Sequence, residues 1–268
     1  RALTAETPLW DLLLSCTASA EAPIWGWRHK VLGSRALHIP PQTSTIASHL
    51  PKAMGAAYSL GLWRKLGEAG EWPADSVVIC SFGDASFNHS TAQGAINAAG
   101  WTSYQGAPMP LVMVCEDNGI GISTPTPAGW IEASMRSRPG IHYLACNGLD
   151  LLDTWQAACQ AEAIARQRKQ PVFLHMRCVR LYGHAGSDAQ QAYLPPARIE
   201  ADEALDPLLV SAGLLRQHEI LDSAAIEALY RRVAGQVADL AEEAIRRPKL
   251  ETAEEVMASI VPPARPGR

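Results

Sequence analysis

Two residues, Asp84 and Asn118, combine a side chain able to hold a cation with a position that could bring them together. Each follows a short, unbroken apolar run: Val77-Val78-Ile79-Cys80 lies ahead of Gly83-Asp84-Ala85, and Leu111-Val112-Met113-Val114-Cys115 lies ahead of Glu116-Asp117-Asn118-Gly119. Runs of this kind read as parallel strands buried on both faces. In an open parallel sheet, ligands gather at the carboxyl ends of the strands, so the two polar turns can meet on one ligand. The carboxylate of Asp84, the amide oxygen of Asn118 and a nearby backbone carbonyl, that of Ile120, make three hard oxygen donors. Magnesium takes such donors in an octahedron and draws the rest from phosphates and water. The spacing predicts a helix starting at Ser90, capped with Gln93, whose positive end would face a phosphate.

The elements that must position these turns follow from the flanking sequence. Pro40-Pro41 forces an extended entry, and Ser44 or Thr45 is the expected cap of a helix rich in small residues running to about Leu66. Residues 126–147 read as a connection that ends in a short strand over 141–145. Residues 150–169 carry an amphipathic helical pattern, with Leu151, Trp155, Ala158, Cys159, Ala163 and Ile164 on one face. Pro171 to Arg180 is a third strand of the buried type, and His175 inside it is assigned to structure. Beyond it, residues 180–190 (RLYGHAGSDAQ) form a glycine-bearing loop at the same sheet edge, where His184 can work as an acid or base near neutral pH and Arg180 can bind a carboxylate or a diphosphate oxygen. After Pro195 the chain is helical and charged, with Ile226, Leu229, Val233, Val237, Leu240 and Ile245 at helical spacing.

The chain has 268 residues and a formal net charge of −4. A chain of that length buries about three quarters of its unfolded surface, so a full core is expected. The acidic balance and the lack of a basic run with interleaved aromatics argue against nucleic acid as a partner. No apolar stretch is long enough to span a membrane, and the reading is of a cytoplasmic protein with no membrane partner. The six cysteines form no C-x-x-C pair and read as reduced core residues.

The two turns together, GDASFN and CEDNGIGIST, resemble the thiamine diphosphate signature, a Gly-Asp-Gly turn answered by Asn-Asn across a helix and a strand. They look most like the alpha subunit of the decarboxylating component of the 2-oxo acid dehydrogenases, the pyruvate and branched-chain group. The resemblance implies an α/β thiamine diphosphate-binding fold: a parallel sheet flanked by helices, with a helical C-terminal tail. It implies thiamine diphosphate and Mg²⁺ as cofactors, with Asp84, Asn118 and Ile120 on the metal and Gly83, Ala85, Asn88, Ile46 and Arg180 in the cofactor site. Ile46 comes from the match of Ser44 to His49 with the family's Ser-Pro-Leu-Ala-Thr-Gln segment. His184 matches the second histidine of the family's catalytic loop, and Ser187-Asp188 matches its Ser-Asp. Ala85, Asp117, Tyr182 and Ala185 depart from the pattern, as does a longer loop at 103–107. Ala185 stands where mitochondrial relatives carry a phosphorylated serine, so kinase control there is not expected. A family histidine ahead of the 44–49 segment falls at Val31, with His29 and His38 as the alternatives.

The implied activity is oxidative decarboxylation of a 2-oxo acid with acyl transfer to a lipoyl-bearing acyltransferase. Acetoin dehydrogenase and a non-catalytic assembly subunit are the alternatives. The cofactor-activating glutamate of the family belongs to a beta subunit or a fused beta half, which nothing in this chain resembles. Expected divisions are an irregular segment at 1–35, a diphosphate-binding α/β domain at 36–195, a helical region of the same domain at 196–261, and a linker or disordered end at 262–268. Arg1 in place of methionine points to an N-terminal truncation.

Overall fold

The computed structural model describes residues 4, 6–24, 32–67, 72–73 and 75–258. Val31, His29 and the 262–268 end lie outside the described residues. By its contacts the chain divides into two compact units, one of residues 46–220 and one that joins residues 1–45 to 221–268.

The larger unit is built on a four-stranded sheet. β1 (Val78–Gly83), β2 (Leu111–Asp117), β5 (His142–Asn147) and β6 (Val172–Arg177) are all parallel, in the order β1-β2-β6-β5. Parallel neighbours need crossovers, and helices supply them. α2 (His49–Leu66) and α4 (Ser90–Tyr104) cover one face, where Phe82, Cys80, Met113, Cys115 and Phe173 meet Leu50, Ala57, Ala95, Ile96 and Ala99 in the main core. The alanines let the helix backbones come close to the sheet. The other face packs Val112, Val172, Leu174 and Cys146 against Ala157, Ala161, Ile164 and Ala165 of α6 (Leu151–Ala163) and the turn after it. Alternate residues of one strand therefore serve two cores, which is why β2 and β6 read as unbroken apolar runs. β1 is an edge strand and departs from this. Ile79 and Ser81 on its second face are exposed.

The sheet is the parallel, helix-flanked arrangement expected, with shifts at element ends. α2 begins at His49 rather than at the Ser44–Thr45 cap, because the preceding turn passes through Ala47 in a left-handed conformation, φ 61°. The cap of α4 is His89, whose Nδ1 accepts from the Thr91 N–H at 3.2 Å. Ser90 is already helical, and Gln93 donates instead to the Phe87 carbonyl at 2.7 Å. α6 is capped by Asp150, which accepts from Leu152 and Asp153, and it loosens into a π turn over Ile164–Arg168. The unit ends with α7 (Pro196–Glu203) and α8 (Pro207–Gln217), the latter capped by Asp206.

In the second unit the segment expected to be irregular contains a helix, α1 (Thr7–Cys16), with proline in its first turn. It forms because Trp10, Leu13 and Leu14 find a partner remote in sequence: they pack with Ala22, Leu240 and Ala244, the last two from α9 (Ser223–Ile245). The Thr17 hydroxyl donates to the Ala244 carbonyl at 3.2 Å. A short α10 (Ala253–Met257) closes the described chain with a full capping box between Thr252 and Glu255.

Candidate active site

The carboxyl ends of β1, β2 and β6 carry the three segments singled out by chemistry. Gly83 ends β1 in an extended conformation, and Asp84 opens α3 (Asp84–Phe87), a single turn. Asp84 is 1% exposed. A carboxylate that deep must be partnered. The Thr126 hydroxyl donates to its Oδ2. Thr126 arrives through a small hairpin, β3 (Ile120–Gly121) and β4 (Thr124–Pro125), whose base is closed by the Thr126 N–H donating to the Gly119 carbonyl at 2.9 Å. The hairpin thus joins the Asn118 turn to the Asp84 turn.

Two further details bind these turns. The methyl of Ala85 fills the space that Gly121 leaves open; a Cβ at Gly121 would lie 2.4 Å from the Cβ of Ala85. The departure at Ala85 is accommodated by a glycine across the hairpin. In the β2 turn, Asn118 Oδ1 accepts from the Ile120 N–H at 3.1 Å, and Asp117 Oδ1 accepts from Gly119 at 3.0 Å, where φ is 76°. An amide oxygen has two lone pairs, so one bond within the turn leaves Asn118 a second. Asn88, just past α3, accepts at 2.7 Å from the indole of Trp130, the first residue of α5 (Trp130–Met135). Ile46 stands exposed on the turn before α2, and His49 Nε2 donates to the Ser81 carbonyl of β1 at 2.9 Å. His49 is therefore an anchor between helix and strand.

After β6 the chain runs into the glycine loop. Arg180 donates to the Ile122 carbonyl at 2.8 Å and to the Tyr193 hydroxyl at 2.7 Å, so one guanidinium ties this loop to the hairpin behind Asn118. Its Nε is buried and has no partner among the described residues. The Tyr193 hydroxyl donates a hydrogen bond to Asp188 Oδ2 at 2.6 Å, and the His184 N–H donates to the same oxygen at 2.6 Å. The Tyr193 and His184 hydrogen bonds, with Arg180 nearby, hold the Asp188 carboxyl below its usual range. The loop is thus closed through Asp188, and the imidazole of His184 stays exposed.

The surroundings are unreactive thiols. Burial, then Asp117, Asp84, the Cys178 thiol and Glu116 in the order of their effect, pushes the Cys115 thiol far up. Burial and then Glu116, Asp84 and Asp117 push Cys178 up to about 12. Neither is a thiolate near neutral pH. Among the described residues no group of three His, Cys, Asp or Glu could hold a metal. The set of one carboxylate, one amide and one carbonyl at the sheet edge is all oxygen and suits magnesium. A buried carboxylate, and a buried guanidinium nitrogen with no partner among the described residues, fit a magnesium diphosphate.

Sequence reasoning did not find Thr126, Gly121, Tyr193 or the partners of Asp117. His175 Nε2 lies 2.8 Å from Asp117 Oδ2, and its Nδ1 lies 2.8 Å from the Tyr143 hydroxyl.

Residues 9–253 match the dehydrogenase E1 component family. The chain belongs to that family. Among curated E1 relatives it is 27% identical to the mouse mitochondrial 2-oxoisovalerate dehydrogenase subunit alpha over 190 residues, 69% of this chain and 40% of that protein. It is 24% identical to the Bacillus subtilis 2-oxoisovalerate dehydrogenase subunit alpha over 243 residues, 89% of this chain and 69% of the relative. An Arabidopsis thaliana mitochondrial alpha 2 subunit is 29% identical over 180 residues, 66% of this chain and 35% of that protein. The chain thus spans well under half the length of several E1 relatives it matches. Membership of the E1 family agrees with the fold expected from the paired turns.

Proposed function

We propose that this chain is an alpha-type component of a thiamine diphosphate-dependent 2-oxo acid dehydrogenase, acting on a branched-chain 2-oxo acid. The single observation that carries the reading is the meeting of three segments at one sheet edge: the buried Asp84 turn, the Asn118 turn hinged to it through Thr126, and the Arg180–His184 loop tied to the same hairpin. The substrate class is favoured by relatives that are 2-oxoisovalerate dehydrogenases, whereas none of the features favours acetoin or a purely structural subunit.

In this reading Asp84, Asn118 and the Ile120 carbonyl would hold Mg²⁺, and the unpartnered Nε of Arg180 would be available to a diphosphate oxygen. Gly83, Ala85 and Asn88 would line that end of the site. Ile46 supplies an apolar contact from the turn before α2. Thiamine diphosphate, when bound, supplies the electron sink that lets a 2-oxo acid lose carbon dioxide. His184 handles a proton at the substrate or at the lipoyl arm that takes the acyl group, and its loop is free to place the ring because the backbone alone is tied to Asp188. The activating glutamate comes from a beta partner, whether fused or separate, and a lipoyl acyltransferase receives the product. The reduced cysteines suit the cytoplasm.

The test is carbon dioxide release from 2-oxoisovalerate and from pyruvate by the natural full-length polypeptide assembled with its beta partner. Turnover that needs thiamine diphosphate and magnesium, prefers 2-oxoisovalerate and disappears in Asp84→Ala supports the proposal. Cofactor binding without turnover of either acid overturns it in favour of an assembly subunit.

A further inference from the structure

Asp117 departs from the asparagine that the signature leads one to expect, and it adjoins the proposed ligand Asn118. Its surroundings give that departure a purpose. The strands run parallel, with Tyr143 opposite Phe173 and His175 opposite Cys115. His175 is two residues past Phe173, and Asp117 is two residues past Cys115. Tyr143, His175 and Asp117 therefore climb diagonally across β5, β6 and β2, all on the same face of the sheet and each one step nearer the carboxyl end.

The hydrogen bonds follow this staircase. Asp117 Oδ2 accepts from His175 Nε2, so the other ring nitrogen is left to accept from the Tyr143 hydroxyl. Tyr143 is held in turn, stacked on Phe173 with 18° between ring planes and under the Arg136 guanidinium at 5.6 Å. At the far end Asp117 Oδ1 accepts the Gly119 N–H, within the turn that carries Asn118 and Ile120. His175 and Asp117 are largely shielded from solvent. The chain of contacts runs from an edge strand to the backbone of the candidate cation turn.

Resting on the function proposed above, we propose that Tyr143, His175 and Asp117 are positioning residues that fix the 117–121 turn for the cation, His175 acting through Asp117 without touching metal or cofactor. Asparagine at 117 would accept the Gly119 bond as well, but a carboxylate gives His175 a charged acceptor and locks its tautomer, as the partners of ligating groups do in metal sites.

The test titrates magnesium against thiamine diphosphate binding, read by tryptophan fluorescence, in the full-length polypeptide with its beta partner. His175→Ala is expected to raise the half-saturating magnesium about 10-fold, the low end for outer-shell partners, with the binding level at saturating magnesium unchanged. His175→Gln keeps an N–H toward Asp117 and is expected to recover most of the loss. Tyr143→Phe and Asp117→Asn are expected to give smaller rises in the same direction. Generic loss of packing would lower thermal stability in His175→Ala and His175→Gln alike and would not be cured by magnesium. Native-like circular dichroism with wild-type magnesium dependence in His175→Ala overturns the inference, as does a His175→Gln no better than Ala. Should His175→Ala fail to fold, unchanged magnesium dependence in both Tyr143→Phe and Asp117→Asn overturns it. Wild-type binding lost in Asp84→Ala, beside an unaffected His175→Ala, condemns this inference alone. Wild-type protein without magnesium-dependent binding condemns the proposed function, and this inference with it.

Discussion

The Asp84 side of the site and the His184 side are built differently. Asp84 is buried at the end of a sheet strand, reached by a hairpin that fits against Ala85 with no room for a methyl at Gly121. His184 stands in solvent on a glycine loop, and only its backbone is held, through Asp188, Tyr193 and Arg180. The first side is a socket formed by folding itself. The second is a strap that can change shape without cost to the core. Magnesium binding should therefore depend on the first and turnover on the second, and substitutions that separate these two quantities put the contrast to the test.

The largest effect is expected from Asp84→Ala. Removal of a metal ligand should exceed the roughly 10- to 100-fold cost typical of outer-shell partners, so magnesium-dependent thiamine diphosphate binding by calorimetry should fall below detection. If binding persists, the socket is not at Asp84.

Gly121→Ala ranks next. Overpacking against Ala85 should cost about 1–3 kcal/mol of stability, seen as a lower urea midpoint, and should weaken cofactor binding as the two turns part. Ala85→Gly in the same chain should restore both, since it frees the space. Failure of that rescue would show that the hairpin is placed by something other than this contact.

On the strap, Tyr193→Phe removes the hydroxyl shared by Arg180 and Asp188. The expected result is a loss of local order, visible as faster amide exchange over 183–190 and a lower kcat with unchanged magnesium dependence. A change in magnesium affinity of the same size would dissolve the distinction between socket and strap.

The smallest effect at neutral pH concerns Cys178, where β6 gives way to the strap. Its thiol is pushed up to about 12 by burial first and by Glu116, Asp84 and Asp117 after. The folded state thus holds a proton that the unfolded chain releases near the ordinary thiol range, about 8.5. That contribution to stability is complete below the unfolded value and is lost as pH rises toward the folded one. Cys178→Ala should flatten the decline of stability between about pH 9 and 12 relative to the parent, measured by denaturation at each pH.

Much of the socket was legible in the sequence because it lies along single strands. An apolar run of buried type followed by a polar turn identifies β1, β2 and β6, and strands that are parallel must release their turns at one edge. What could not be read is whatever depends on which strand lies beside which. Thr126 meets Asp84 only through a hairpin of two-residue strands too short to show a pattern. Tyr143 and His175 meet only because β5 and β6 are neighbours, and His175 looked like an ordinary strand residue. Helix α1 was hidden for a related reason: its apolar side is satisfied by α9, more than 200 positions on, and not by anything nearby. The cap of α4 lies one residue before the serine because a histidine performs the role usually taken by serine.

The diagonal step of Tyr143, His175 and Asp117 bears on what lengths the chain can tolerate. Side chains on a strand alternate faces, so deleting one residue between Val172 and Leu174 would turn His175 away from Asp117 while leaving the composition of β6 almost intact. The connection at 105–109 between α4 and β2 can gain or lose residues with no such inversion. Within β6, the spelling of the site is fixed to the letter count, and insertions or deletions there should be as damaging as replacement of the histidine.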